Sequence, residues 1–209
     1  MRKNIILICC LLLLVGCKQI NENDDYIEKV QNCLSENSIT NQVALGYKYY
    51  LPKGVKKLKD YEYNQIYLVE DCYLYLYVDI ISYFHEKELQ KVNSKNSYYY
   101  QEFNYNEKKG YILIEEIDEQ YYLNIVYNYS KIQGYVPKEK INKIITLSSI
   151  ILNSIEYNHT VIEKILEGDL GQFSEFTYEV AKPEGASSNF SQYLEEYVQK
   201  EETEQLPDE

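Results

Sequence analysis

Arg2 is the only arginine in the 209-residue chain. Beyond the second position there is no guanidinium, so planar bidentate recognition of carboxylate or phosphate loses its usual residue. Lysine can bind phosphate as a point charge, but no glycine-rich cradle accompanies one here. Tryptophan is absent, and Met1 is the single methionine. Histidine occurs only at His85 and His159, and neither His-Glu-x-x-His nor Cys-x-x-Cys spacing is present. No metal site and no cofactor are therefore expected, the run His85-Glu86-Lys87-Glu88 notwithstanding. Basic residues are outnumbered: Lys+Arg total 21 against 33 Asp+Glu, a net charge of −12. That balance argues against a nucleic-acid partner and against a polybasic grip on anionic lipid. No apolar run reaches the roughly 20 residues that a spanning helix needs.

What the chain does have begins at its start. Arg2 and Lys3 precede an unbroken apolar run from Ile5 to Val15. A basic start, a short apolar stretch and a small residue before a cut describe an export signal. The segment Leu14-Val15-Gly16-Cys17 resembles the bacterial lipobox. The resemblance implies a signal peptide over 1–16, cleavage before Cys17, and a diacylglycerol thioether on its sulfur. Cys17 is then the lipid attachment residue of an extracytoplasmic, membrane-anchored lipoprotein, and two acyl chains supply the stable anchoring that one does not. Without Arg2 and Lys3 the side chains are 19 basic against 33 acidic, a balance of −14. The lipid, not charge, has to hold such a body to a membrane. Tyr (25 residues), Asn, Ile and Lys are enriched while Arg is nearly missing. That pattern follows A/T-rich codons and points to a low-GC Gram-positive source.

Of the five cysteines, Cys9 and Cys10 leave with the signal and Cys17 takes the lipid. Cys33 and Cys72 remain. A disulfide between them is permitted outside the cytoplasm, and two small buried hydrophobes are the alternative.

Along the chain, residues 17–25 read as a lipidated polar tether and 26–198 as one α+β domain. Asp24 or Asp25 caps a helix carrying Ile27, Val30 and Leu34. From Leu45 the hydrophobic period becomes two, predicting strands at Leu45–Leu51, Gln65–Val69, Tyr73–Phe84, Tyr98–Tyr105, Tyr111–Ile117 and Tyr121–Tyr129. Short polar connections predict an antiparallel meander. Pro137 opens a helix whose Ile141, Ile144, Ile145, Ser148, Ile151, Leu152 and Ile155 trace one stripe, the expected cover for the sheet. A short helix follows, with Val161, Ile162, Ile165 and Leu166. Phe173–Val180 reads as a strand or an ordered arm, 183–188 as a loop, and Phe190–Val198 as a small helix. Residues 199–209 read as an acidic disordered tail.

The strand at Tyr47-Lys-Tyr-Tyr-Leu-Pro-Lys-Gly54, the meander, the long helix and the closing Ile151-Leu-Asn-Ser-Ile155 follow one another in an order that resembles the PsbP-like α/β/α sandwich. The likeness covers roughly residues 45–157 and implies a binding or assembly role rather than catalysis.

The most informative stretch is 72–85. Alternation puts Leu74, Leu76, Val78 and Ile80 on one face and Tyr73, Tyr75, Tyr77, Asp79, Tyr83 and His85 on the other. The aliphatics seek the core, which makes the tyrosine set the candidate ligand face, suited to sugar rings or an extended peptide. Its plain alternative is cross-strand packing in a tyrosine-biased chain. Ser148-Ser149 lies on an apolar helix without the setting of a nucleophile elbow. Glu115 and Glu116 fall on opposite faces of a strand and do not converge. The resulting expectation is a non-enzymatic surface lipoprotein that binds a protein, peptide or glycan partner. A cell-envelope enzyme and a small solute-binding lipoprotein are the alternatives.

Overall fold

Asp25–Ser35 forms the first helix, α1, in which Tyr26, Val30 and Leu34 are all 3% exposed or less. This is the helical spacing expected of an amphipathic face. The computed structural model describes residues 25–61 and 63–168. The expected export signal, Cys17 with its expected tether, and the elements expected after Gly168 lie outside the described residues.

Among the described residues ten strands follow, in two antiparallel sheets. β1 (Gln42–Ala44), β2 (Tyr47–Tyr49) and β10 (Glu156–Tyr157) make a small sheet with β2 in the middle. The large sheet holds β3 (Val55–Tyr61), β4 (Asn64–Val69), β5 (Cys72–Val78), β6 (Tyr99–Tyr105), β7 (Lys108–Ile117), β8 (Gln120–Tyr127) and β9 (Ser130–Val136). Its spatial order is β3-β4-β5-β9-β8-β7-β6. The remaining helices are α2 (Ile80–Phe84), α3 (Ile141–Asn153) and α4 (His159–Leu166), with one turn of 3₁₀ helix at Lys138–Lys140 before α3. Among the described residues no helix is long and apolar enough to cross a membrane.

The fold is the expected α+β class, an antiparallel sheet with helices packed on it. Its topology departs from a single meander. β3–β4–β5 is one meander and β6–β7–β8–β9 another, and they join because β5 pairs with β9 rather than with β6. The chain therefore leaves β5 in mid-sheet and travels through α2 and residues 85–98 to the far edge. The strand expected at Leu45–Leu51 contracts to Tyr47–Tyr49 and belongs to the small sheet.

Two strands of the large sheet were not anticipated. β3 reads Val-Lys-Lys-Leu-Lys-Asp-Tyr, and its lysines obscure the period. As an edge strand it needs such charges to discourage pairing with other chains. β9 carries Gly134 in mid-strand, a residue that ordinarily weakens a strand. Here a Cβ would come within 2.6 Å of the Tyr73 carbonyl oxygen, so close approach of β9 to β5 requires glycine.

One face of the large sheet is the core. Leu74, Leu76, Ile112, Ile114, Leu123, Ile125 and Ile132 are each 1% exposed or less and join the buried face of α3. That face consists of Ile141, Ile144, Ile145, Ser148, Ser149, Ile151 and Leu152, close to the stripe read from sequence. Ser148 and Ser149 sit inside this core, which removes them from any surface chemistry. The small sheet joins the core through polar contacts. Gln65 of β4 donates to the Tyr47 hydroxyl (2.5 Å) and accepts from the Tyr67 hydroxyl (3.2 Å). Asn153 at the end of α3 donates to the carbonyls of Cys33, Leu34 and Glu36, satisfying the open C-terminal end of α1.

Candidate functional site

The outer face of the large sheet carries the site. In register, Tyr77 of β5 lies opposite Lys131 of β9, Lys131 opposite Val126 of β8, and Val126 opposite Tyr111 of β7. These four side chains form a row across the strands and line a cleft of about 960 Å³. Drug-sized ligands occupy cavities of roughly 300–1,000 Å³.

The crossing segment after α2 builds one wall. Leu89 and Val92 pack on Tyr111, Leu113, Val126 and Tyr100, a small apolar cluster separate from the main core. A second wall comes from α2 and the ends of the strands. β5 was expected to continue to Phe84, but it stops at Val78 because Asp79 caps a helix. The Asp79 carboxylate accepts from the Ser82 backbone N–H at 2.7 Å. His85 consequently ends α2 instead of lying on a strand, with its ring against Phe84.

Beyond Asp79 lies an aromatic cluster. Tyr83 stacks on Tyr157 (4.0 Å between ring centres) and meets Tyr129 edge-on (5.9 Å). The Tyr157 hydroxyl donates to the Asn128 carbonyl and bonds the Ser130 hydroxyl, each at 2.7 Å. Burial holds the Tyr157 phenol well above its ordinary pKa, so it stays protonated as a structural donor. His159 is exposed at the start of α4 and stacks on Phe84 (5.1 Å).

The structure therefore divides the proposed tyrosine face. Tyr77, Asp79 and Tyr83 line the cleft. Tyr73 and Tyr75 share the outer face but are not among the lining residues, and Tyr75 is only 9% exposed, flanked by Ile66 and Gln133. Sequence reading missed Lys131, Tyr111, Tyr129 and the segment at Leu89–Val92. Only Tyr129 had a local signal, as the second residue of a tight turn.

Asp79, Ser82 and His159 all reach the cleft, yet the carboxylate holds a backbone N–H and the imidazole lies flat on Phe84. No nucleophile–base hydrogen bond links them among the described residues. Nor do three His, Cys, Asp or Glu side chains gather there to hold a metal. Cys33 and Cys72 are both free thiols, away from the cleft. The Cys33 thiol faces the Thr146 carbonyl at 3.8 Å, and Cys72 lies buried at the start of β5 beside Asp71. Burial pushes the Cys72 thiol up to about 12, leaving it a small hydrophobe rather than a thiolate.

Five lysines and four carboxylates line the cleft, a slight positive excess in a chain of net charge −12. No protein-family model matches the chain, and no curated protein matches it.

Proposed function

We propose that this protein is a lipid-anchored extracytoplasmic binding protein, tethered through Cys17, whose outer-sheet cleft receives a small ligand. The observation that carries the binding half is the cleft itself: a ligand-sized cavity floored by strands of the large sheet, with Leu89 and Val92 on one wall and aromatic and charged side chains of both signs around it. Its size favours the small-solute reading over a broad surface for a macromolecular partner. The anchoring half rests on Leu14-Val15-Gly16-Cys17. The order of elements resembling the PsbP-like sandwich agrees with a binding role.

The anchor is tested by detergent phase partitioning of cells expressing the full chain. The wild type is expected in the detergent phase and to incorporate labelled fatty acid. Cys17→Ser is expected to lose the label and either to leave the membrane or to retain its uncut signal. Equal labelling of both proteins would overturn the anchor.

A further inference from the structure

Lys131 is the least satisfied charge in the cleft. Its side chain is half-buried on the floor, and its ammonium stands 5.2 Å above the Tyr77 ring. Among the described residues it has no hydrogen-bond acceptor and no carboxylate within ion-pair distance. The nearest balancing charge is Asp79, which acts on it only at longer range and is already engaged in capping α2. Glu86, Glu88 and Glu107 also line the cleft, but all three are exposed and none pairs with Lys131. Removing an ammonium from water is costly unless a partner replaces the lost hydration, and one tyrosine face replaces only part of it. Burial accordingly pulls the Lys131 pKa below its ordinary value, with Asp79 drawing it partly back.

The groups around Lys131 give the absent partner a shape. Val126 and Tyr111 continue the floor on one side, and Leu89 and Val92 close over them. Tyr77 and Tyr83 offer ring surfaces on the other side.

We infer that the cleft binds a small organic anion, whose carboxylate or phosphate pairs with Lys131 while an apolar or ring-bearing body lies between Tyr77 and the Leu89–Val92 wall. This rests on the reading of the cleft as the binding site. The single positive excess of the lining is concentrated in the one lysine that is desolvated, where a charge-assisted bond is strongest. The four other lining lysines, Lys87, Lys91, Lys108 and Lys109, are exposed and serve to attract an anion toward the mouth.

The test is equilibrium dialysis of the full chain in neutral-detergent micelles, with a micelle-only blank. The probes are 1-naphthyl phosphate and its neutral parent 1-naphthol. Wild type is expected to bind one naphthyl phosphate per chain. Lys131→Met should weaken this about tenfold, the loss of roughly 1.4 kcal/mol, while leaving 1-naphthol unchanged. Lys131→Arg should retain naphthyl phosphate, which separates loss of charge from loss of fold. Inorganic phosphate should displace the probe poorly, because it has no body to fill the apolar wall. Equal binding of naphthyl phosphate by wild type and Lys131→Met overturns the anion site while leaving a cleft that still takes naphthol. Displacement by inorganic phosphate at equal concentration overturns the role of the apolar body. Failure of the wild type to bind either probe overturns the cleft as a binding site altogether.

Discussion

Leu76 and Tyr77 are adjacent on β5 and face opposite sides of the same sheet. Leu76 is 1% exposed in the main core, and Tyr77 looks into the cleft. Leu76→Ala should cost about 2–5 kcal/mol, because the removed methyl groups leave a cavity that a packed core does not refill. Tyr77→Ala should cost clearly less, since its half-buried ring is walled partly by open cleft. Tyr75→Ala should fall nearer to Leu76→Ala than to Tyr77→Ala, because Tyr75 is almost as covered as the core. Urea melts of the three variants give the ranking, and equal losses at 76 and 77 would mean that the outer face is as dry as the inner one. The alternation that separates these residues was readable from sequence because the two-residue strand period is a local property. The degree of cover on the outer face was not, because it is contributed by residues 85–98 and by neighbouring strands.

The hairpins of the second meander turn without glycine. Asn106-Glu107, Asp118-Glu119 and Asn128-Tyr129 all have positive φ at both residues, between 48° and 65°. This is the mirror-image turn whose twist matches paired strands, and it favours Asn or Asp first and Gly second. The first positions obey that rule. The second positions hold Glu, Glu and Tyr, side chains that pay a steric penalty in the left-handed region. Glu119 is exposed, so Glu119→Gly should relieve it and raise stability by up to about 1 kcal/mol, offset in part by the extra freedom of glycine in the unfolded chain. Thermal melting checks this, and an unchanged or lower melting temperature would show that the Glu119 side chain is worth more than its strain. Tyr129 is different, because its strained backbone accepts the Asp79 N–H at 2.8 Å and places its ring at the cleft. The turns themselves were legible as polar breaks. Their tightness was not, and this is why no strand is expected at 130–136 and β7 is expected to begin at Tyr111 rather than Lys108.

The β4–β5 turn shows how the elements are tied together. Lys143 of α3 pairs with Glu70, and Lys140 just before α3 pairs with both Asp71 and Glu70. Lys143 holds the Glu70 carboxyl below its ordinary 4.5, and Lys140 holds Asp71 below its ordinary 3.8. Because both pKa values are depressed in the folded state, the clamp stabilises above the ordinary carboxylate values. Its contribution is lost as pH falls through the folded ones. The groups are exposed, so the effect is small and weakens with salt. Wild type should melt slightly above a Lys140→Met/Lys143→Met variant at neutral pH. The gap should close on acidification below about pH 4 and in high salt. A gap that persists in acid would assign it to packing of the lysine stems instead.

The amino-acid order alone determined the features that depend on near neighbours. These are the amphipathic faces of α1 and α3, the antiparallel α+β class, and the inner aliphatic set of β5. Tertiary structure decided the rest. Asp79 reads equally well as a strand residue or as a helix cap until the Ser82 N–H is seen on its carboxylate. The pairing of β5 with β9 joins residues more than 50 positions apart, and strand order carries no local signal because any edge of similar polarity offers the same backbone donors and acceptors. From that one pairing follow the row Tyr77–Lys131–Val126–Tyr111, the path of residues 85–98 across the outer face, and the cleft between them. Lys131 is an ordinary lysine in sequence. Its place between two strands from different meanders removes part of its water and leaves its charge without an ion-pair partner among the described residues.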